Sequence, residues 1–326
     1  MRRDLPLATG CPLGSGPSAS VILIARSSAR TCLQVVLPRI AMDTSSGIPQ
    51  PPQILLDALF NASSSDLPGL SLYTGSDEAR IPTPLYSDDT RPYVTLTFAQ
   101  SLDAKIAGKG GKQLALSGKE SLVMTHWMRT MHDAIMVGIG TALNDNPQLN
   151  TRHVPPFPEG HLHKFHLPRP VILDADLRLS PECKLLSNFA EGRGRRPWVV
   201  AVPPTKNCAD WGVRKHDLEV AGAKVIEVER DNGRVSLPSM LKALRKLGVR
   251  SLMVEGGARV IQSFLAASTE KTRLVDTVIV TVAPVFVGDE GVGYGANLSS
   301  TSVEKLQHTH TAVFGRDVVF SMKFTQ

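Results

Sequence analysis

The sequence of 326 residues is poor in several features, and each shortage removes a class of protein. Its four cysteines (Cys11, Cys32, Cys183 and Cys208) are scattered without a C-x-x-C pair. That excludes a cysteine zinc site and a disulfide framework, and makes a reducing compartment the default. No apolar run approaches the roughly 18 residues of a membrane-spanning helix; the longest candidates, Ala19–Ala25 and Leu33–Leu37, are far shorter. The dinucleotide fingerprint G-x-G-x-x-G is missing, because Gly138-Ile139-Gly140 continues as Thr141-Ala142-Leu143. Phosphate-loop, protein-kinase and G-x-S-x-G hydrolase signatures are missing too. What remains, 42% hydrophobic and 20% charged, suffices for a sizeable core.

Acids are scarce at one end only. Residues 1–42 hold Arg2, Arg3, Arg26, Arg30 and Arg39 against Asp4, and so carry most of the formal net charge of +6. The rest of the chain has no basic stripe of its own, which argues against a nucleic-acid partner. An Arg- and Ser-rich leader has the composition of a mitochondrial presequence. Against that, Gly10, Pro12, Gly14, Gly16 and Pro17 interrupt an import helix, and Met42-Asp43-Thr44-Ser45 offers a second start. The expectation is that 1–42 is dispensable or a mis-assigned start and that the protein is cytoplasmic, with mitochondrial import the minority reading.

Residues 43–90, rich in Pro, Ser and Asp, read as an N-terminal arm with one short amphipathic piece at Ile54–Phe60. Residues 91–326 form the working domain. Strands are expected at Pro92–Ala99, Ala134–Gly138, Pro170–Asp174, Trp198–Val202, Lys224–Val228, Ser251–Val254, Val275–Ala283 and Val318–Phe324. Helices are expected after Ser117, as N-cap of a capping box with Glu120, and at Leu237–Leu247 and Ala258–Ala267. Alternating strands and helices predict an α/β fold with a mostly parallel central sheet flanked by helices.

Three strand ends carry candidate chemistry. In Leu252–Val260 a buried strand ends in Glu255, Gly256 and Gly257 before a helix starts. Paired glycines there let helix N-terminal amides approach a phosphate, with Glu255 in the crevice; a plain tight turn is the alternative. In Val137–Arg152 a strand ends in small residues followed by Thr141, Asp145 and Arg152, groups able to bind ribose or phosphate. In Gln100–Gly108, Asp103 either orients a substrate or caps its own turn. The Gly108-Lys109-Gly110-Gly111 tract reads as a mobile loop. His153, His161, His163 and His166 sit in a Pro-rich loop without acids to fix a geometry, and His126 and His132 fall on different helix faces, so no metal is expected.

The segments 95–107 (TLTFAQSLDAKIA), 132–152 (HDAIMVGIGTALNDNPQLNTR), 169–179 (RPVILDADLRL) and 252–265 (LMVEGGARVIQSFL), in this order, resemble the reductase of riboflavin biosynthesis. That family is related to the C-terminal half of the bacterial bifunctional deaminase–reductase, and the separate domain looks like the fungal and archaeal enzymes. The deaminase signature H-x-E…P-C-x-x-C is absent, so only reduction is implied. The resemblance implies a dihydrofolate-reductase-like fold, a homodimer, and NADPH as cofactor. It implies as substrate a phosphorylated ribosylamino-pyrimidine, 2,5-diamino-6-(ribosylamino)-pyrimidin-4-one 5′-phosphate. Thr141, Asp145 and Gly256, Gly257, Ala258, Arg259 and Val260 would then contact the cofactor. Asp103, Arg129, Leu149, Arg152 and Glu255 would face the substrate, with Glu255 as the catalytic-site carboxylate. Lys206 is the guessed base for the ribose 2′-phosphate. Ala104, where bacterial members often have Gly, and Ala115-Leu116, where some have an aromatic, depart from the pattern. A dihydrofolate reductase and a non-catalytic nucleotide- or nucleic-acid-binding module are the rival readings.

Overall fold

Apolar alternation and short apolar runs become the strands of one sheet. The computed structural model describes residues 51–60, 78–79, 90–157, 159, 164–205, 209–268, 273–295 and 306–324. The leader 1–42, Lys206, Cys208, His161 and His163 lie outside the described residues.

Helix α1 (Gln53–Phe60) is followed by the two-residue strand β1 (Glu78–Ala79), by β2 (Tyr93–Gln100), α2 (Lys119–Thr130) and β3 (Ala134–Gly138). Next come α3 (Ile139–Asp145), β4 (Lys164–Phe165), β5 (Arg169–Leu173), α4 (Lys184–Ala190), β6 (Trp198–Ala201), α5 (Ala209–Val220) and β7 (Lys224–Glu227). A hairpin of β8 (Arg230–Asp231) and β9 (Arg234–Val235) turns at Asn232-Gly233, both left-handed. The chain closes with α6 (Leu237–Lys246), β10 (Ser251–Gly256), α7 (Ala258–Ala267), β11 (Thr277–Val282), β12 (Leu306–Phe314) and β13 (Asp317–Phe324).

Nine strands form the main sheet in the order β12-β13-β11-β2-β10-β3-β5-β6-β7. The seven from β11 to β7 run parallel, and β13 and β12 add antiparallel at one edge. This is the mostly parallel α/β sheet the sequence predicts. Successive residues of a strand face opposite sides, so each strand feeds two cores. Ile135 and Val137 pack with α1, α2 and α3, while Ala134 and Met136 pack with α6 and α7. Val260, Ile261 and Phe264 of α7 are buried in the second core, at about 1.5–3 kcal/mol for each large side chain.

Several local expectations are corrected. The capping box does not form: Gly118 is the N-cap of α2, and no side chain of the predicted box caps it. Instead Asp317, distant in sequence and fully buried, accepts from the Gly118 amide at 2.6 Å and from the Ser121 hydroxyl. A buried carboxylate at a helix N-terminus meets both free amides and the positive dipole end. Helices α3, α4 and α5 and strand β12 are additional to the predicted elements. The stretch read as an arm supplies α1, whose Ile54, Leu55, Leu56, Ala58 and Leu59 are buried in the first core.

Candidate functional site

Parallel strands leave their carboxyl ends along one edge, where ligands bind in open α/β sheets. There the ends of β2, β10, β3 and β5 surround a cleft of about 1080 Å³. Its middle is the β10–α7 turn. Gly256 has φ +103°, a region L side chains avoid, and a Cβ on it would meet Ile261 Cδ1 at 2.9 Å. At Gly257 a Cβ would meet Thr141 Oγ1 at 2.8 Å; as glycine, its amide instead donates to that hydroxyl at 3.0 Å. Thr141 thus locks the start of α3 to the start of α7. No side chain caps α7, and Gly257, Ala258, Arg259 and Val260 line the cleft together with Thr141 and Asp145. Gly140 also lines it, with open space where a Cβ would stand.

Glu255, the last side chain before the glycines, also borders the cleft. Arg129 of α2 reaches it as a fork: Nε donates to Oε1 and Nη2 to Oε2, both at 2.9 Å, while Nη1 donates to the Asn150 carbonyl at 2.9 Å. The guanidinium and the carboxylate are 10% and 18% exposed, so the pair is a charge-assisted contact largely out of water. Arg152 stands by this pair. Partial burial and the Arg129 charge make its guanidinium less basic, and the Glu255 carboxylate opposes them. The Arg152 amide donates to His126 Nδ1 at 3.0 Å. Leu149 is buried with φ +50° at the start of the same loop.

Asp103 is placed differently. Its carboxylate accepts from the Ser101 hydroxyl at 2.5 Å and from the amides of Val287 and Gly288 at 3.1 and 2.7 Å, which ties the loop after β2 to residues 285–288. These donors, the Ser101 hydroxyl foremost, hold its carboxyl at about 2, against a smaller opposing cost of burial. Of the two readings open for Asp103, its contacts are those of the turn cap. The glycine tract beside it makes a 3₁₀ turn at Lys109–Gly111, with an ion pair from Lys109 to Glu290 and a bond from Asn144 Nδ2 to the Gly111 carbonyl at 3.0 Å.

His132 sits beyond α2 between the Met128 carbonyl and Thr95 Oγ1, buried and pushed down to about 4 mainly by that burial. Among the described residues no group of three metal-ligating side chains occurs, and no helix is long and apolar enough to cross a membrane.

Sequence reading missed two cations of the cleft lining. Arg178 follows β5, its loop fixed by the buried Asp174, which accepts from the amides of Arg178 and Leu179 at 2.6 and 2.8 Å. Arg234 comes from the β8–β9 hairpin. The Asn232-Gly233 pair is the signal that could have found that hairpin. With Arg259 these residues put three arginines in the lining, alongside the carboxylates of Asp145, Asp176 and Glu255 and the apolar Phe98, Ile106, Leu114 and Leu116.

Comparison with known proteins places this geometry. The model of the RibD C-terminal domain matches residues 92–320. A 2,5-diamino-6-ribosylamino-4(3H)-pyrimidinone 5′-phosphate reductase of Debaryomyces hansenii is 38% identical over 218 residues, covering 62% of this chain and 78% of that protein. Among solved structures, a riboflavin biosynthesis reductase of Saccharomyces cerevisiae aligns with a TM-score of 0.53 at 26% identity, over 72% of this chain and 91% of that one. An Acinetobacter baumannii RibD shares the fold, with a TM-score of 0.58 at 24% identity over 73% and 59% of the two chains.

Proposed function

The chain belongs to the RibD C-terminal domain family, and from that premise we propose that it is the riboflavin-pathway reductase of 2,5-diamino-6-(ribosylamino)-pyrimidin-4-one 5′-phosphate, turning the ribosyl side chain into ribityl with NADPH. The observation that carries the reading is the Glu255–Arg129 pair at the edge of a cleft built on two glycine-containing strand–helix turns. A volume of about 1080 Å³ exceeds the roughly 300–1,000 Å³ of a common small-molecule pocket and leaves room for a dinucleotide beside a second ligand.

The residues present fit NADPH. The uncapped start of α7 offers amides to a pyrophosphate, and the missing Cβ of Gly140 leaves space next to it. Thr141 and Asp145, which line the same cleft, carry groups able to bind ribose or an amide. The lining arginines Arg178, Arg234 and Arg259 are groups that suit a ribose 2′-phosphate. When bound, the cofactor supplies hydride to C1′ of the ring-opened imine of the substrate, and a proton is taken up at nitrogen.

The protein's part is orientation and charge placement. Glu255 has one lone pair on each oxygen engaged by Arg129 and keeps others for substrate donors. With both oxygens already accepting, it is built to orient the pyrimidine and not to deliver a proton. Arg152 is the phosphate-facing cation in this reading, and Arg129 serves Glu255 and the Asn150 carbonyl. We also read the working form as a homodimer, on the family resemblance, and the compartment as the cytoplasm, on the unpaired spacing of the cysteines; light scattering of the purified chain tests the first.

The test is NADPH oxidation by the full chain with the ribosylamino-pyrimidine phosphate, with dihydrofolate and NADH run in parallel. Turnover of the pyrimidine phosphate with NADPH is expected. Turnover of dihydrofolate alone would overturn the substrate, and equal use of NADH would overturn the role given to Arg178 and Arg234.

A further inference from the structure

The loop Leu149–Arg152 has no regular secondary structure, yet side-chain hydrogen bonds hold Asn150, Thr151 and Arg152 in turn. Arg129 Nη1 donates to the Asn150 carbonyl at 2.9 Å, Thr151 Oγ1 donates to the His166 carbonyl at 3.2 Å, and the Arg152 amide donates to His126 Nδ1 at 3.0 Å. His126 and Arg129 are three residues apart on α2, hence on one face, so one helix face grips the loop at two points. A ring whose Nδ1 accepts carries its proton on Nε2 and is neutral. His126 is 1% exposed, and its ring meets that of His153 edge-on at 4.6 Å. Burial first, then the charges of Arg129, His153 and Arg152, push it down to about 3, so the accepting lone pair persists at any working pH. Beyond the loop, the Arg152 side chain is exposed, and no described carboxylate pairs with it.

A buried neutral histidine spent on a single backbone amide of a loop is an expensive choice if only packing is at stake, since an apolar side chain fills such a space without a polar cost. The amide it holds belongs to Arg152, an exposed cation whose charge is felt at Glu255. We propose that His126 is the positioning residue for Arg152: by accepting the Arg152 amide hydrogen it fixes where that side chain leaves the loop and aims the guanidinium at the phosphomonoester of the substrate. The proposal rests on the reading of Arg152 as the phosphate-facing residue. His126 itself touches neither substrate nor cofactor. Its effect passes through geometry, where a displacement of about 1 Å is enough to cost up to about a hundredfold.

The experiment compares His126→Leu, His126→Asn and Arg152→Met in the full chain, using the phosphorylated substrate and its dephosphorylated counterpart. An asparagine places an acceptor oxygen where Nδ1 stood. Expected for His126→Leu is a KM for the phosphorylated substrate raised about tenfold or more, with kcat and the NADPH dissociation constant within about twofold of wild type. The preference for the phosphorylated substrate shrinks accordingly, and His126→Asn restores it. An unchanged preference in His126→Leu, or an equal loss of kcat with both substrates, overturns the proposal. Arg152→Met separates it from the reading beneath: if that variant abolishes the preference and His126→Leu does not, His126 alone is discarded, and if Arg152→Met keeps the preference, both fall. Should His126→Leu fail to fold, ¹⁵N NMR of the wild-type imidazoles decides, because an Nδ1–H tautomer at His126 overturns the proposal and an Nε2–H tautomer upholds it.

Discussion

Neighbouring strands β2 and β10 each run out, at the same edge of the sheet, into a carboxylate whose oxygens are engaged by other groups. At the end of β2, Asp103 takes its donors from a hydroxyl and two backbone amides, and what it holds is a loop. At the end of β10, Glu255 takes its donors from one side chain, the largely buried Arg129 guanidinium, and what it faces is the cleft. The same functional group at equivalent places therefore does two kinds of work. What decides is the partner: backbone donors make a carboxylate part of the architecture, whereas a side-chain fork leaves lone pairs for a ligand.

Substitutions on the two sides should separate them. Glu255→Gln keeps the shape and removes the charge; losing charge-assisted hydrogen bonds of about 1.5–3 kcal/mol is expected to lower kcat/KM roughly ten- to a hundredfold, and leaving the Arg129 guanidinium without its partner lowers the melting temperature as well, measured by steady-state kinetics and thermal unfolding. A silent Glu255→Gln would erase the contrast. Gly257→Ala comes next. Its Cβ must displace Thr141 Oγ1 from 2.8 Å, an overpacking cost of about 1–3 kcal/mol, and a loss of that size carried into binding weakens NADPH affinity roughly tenfold; fluorescence titration reads it. The smallest effect on turnover belongs to Asp103→Asn. Turnover stays within about threefold, but amide exchange at Val287 and Gly288 quickens. The acid limb of that exchange sharpens the point. A carboxyl held down to about 2 from its usual 3.8 contributes its stabilisation in full above about pH 4 and loses it as pH falls toward 2. Wild-type exchange at these two amides, corrected for intrinsic rates, should therefore stay flat from neutrality to about pH 4 and rise below it, while the Asn variant shows no such limb.

Much of this was legible in the residues. Short apolar runs located β3, β6 and β10, and α7 begins and ends where its capping glycine and apolar spacing put it. The order of motifs also led to Glu255, Thr141 and the Gly256-Gly257 turn, because strand-end glycines have few other uses. Less accessible was anything set by contact at a distance. Asp317 caps α2 across nearly two hundred residues, so local spacing pointed to Ser117. The polar face of α3, with Asn144 and Asp145, reads as a turn until its buried Ile139 and Ala142 are seen against the sheet. Strand β12 runs through five consecutive polar residues, Gln307 to Thr311, and its hairpin turn at Gly315-Arg316 was the overlooked cue. That Arg129 is held by the Glu255 carboxylate and the Asn150 carbonyl could not be read either, because sequence shows a charge but not which charge answers it.

The strand order has a consequence for how the protein is made. The partners of β2 are β10 and β11, whose residues lie more than 150 positions downstream, and Arg91 meets its bidentate partner Asp276 across 185. While the chain leaves the ribosome, β2 waits without either neighbour until Gly256 and then Val282 have emerged. Contacts of such sequence separation form slowly, and unpaired strands are exposed meanwhile. The cleft, which needs the ends of β2, β10 and β3 side by side, is thus among the last things the nascent chain can build, and a ribosome stalled before Gly256 would release a polypeptide holding most of the helices but no site.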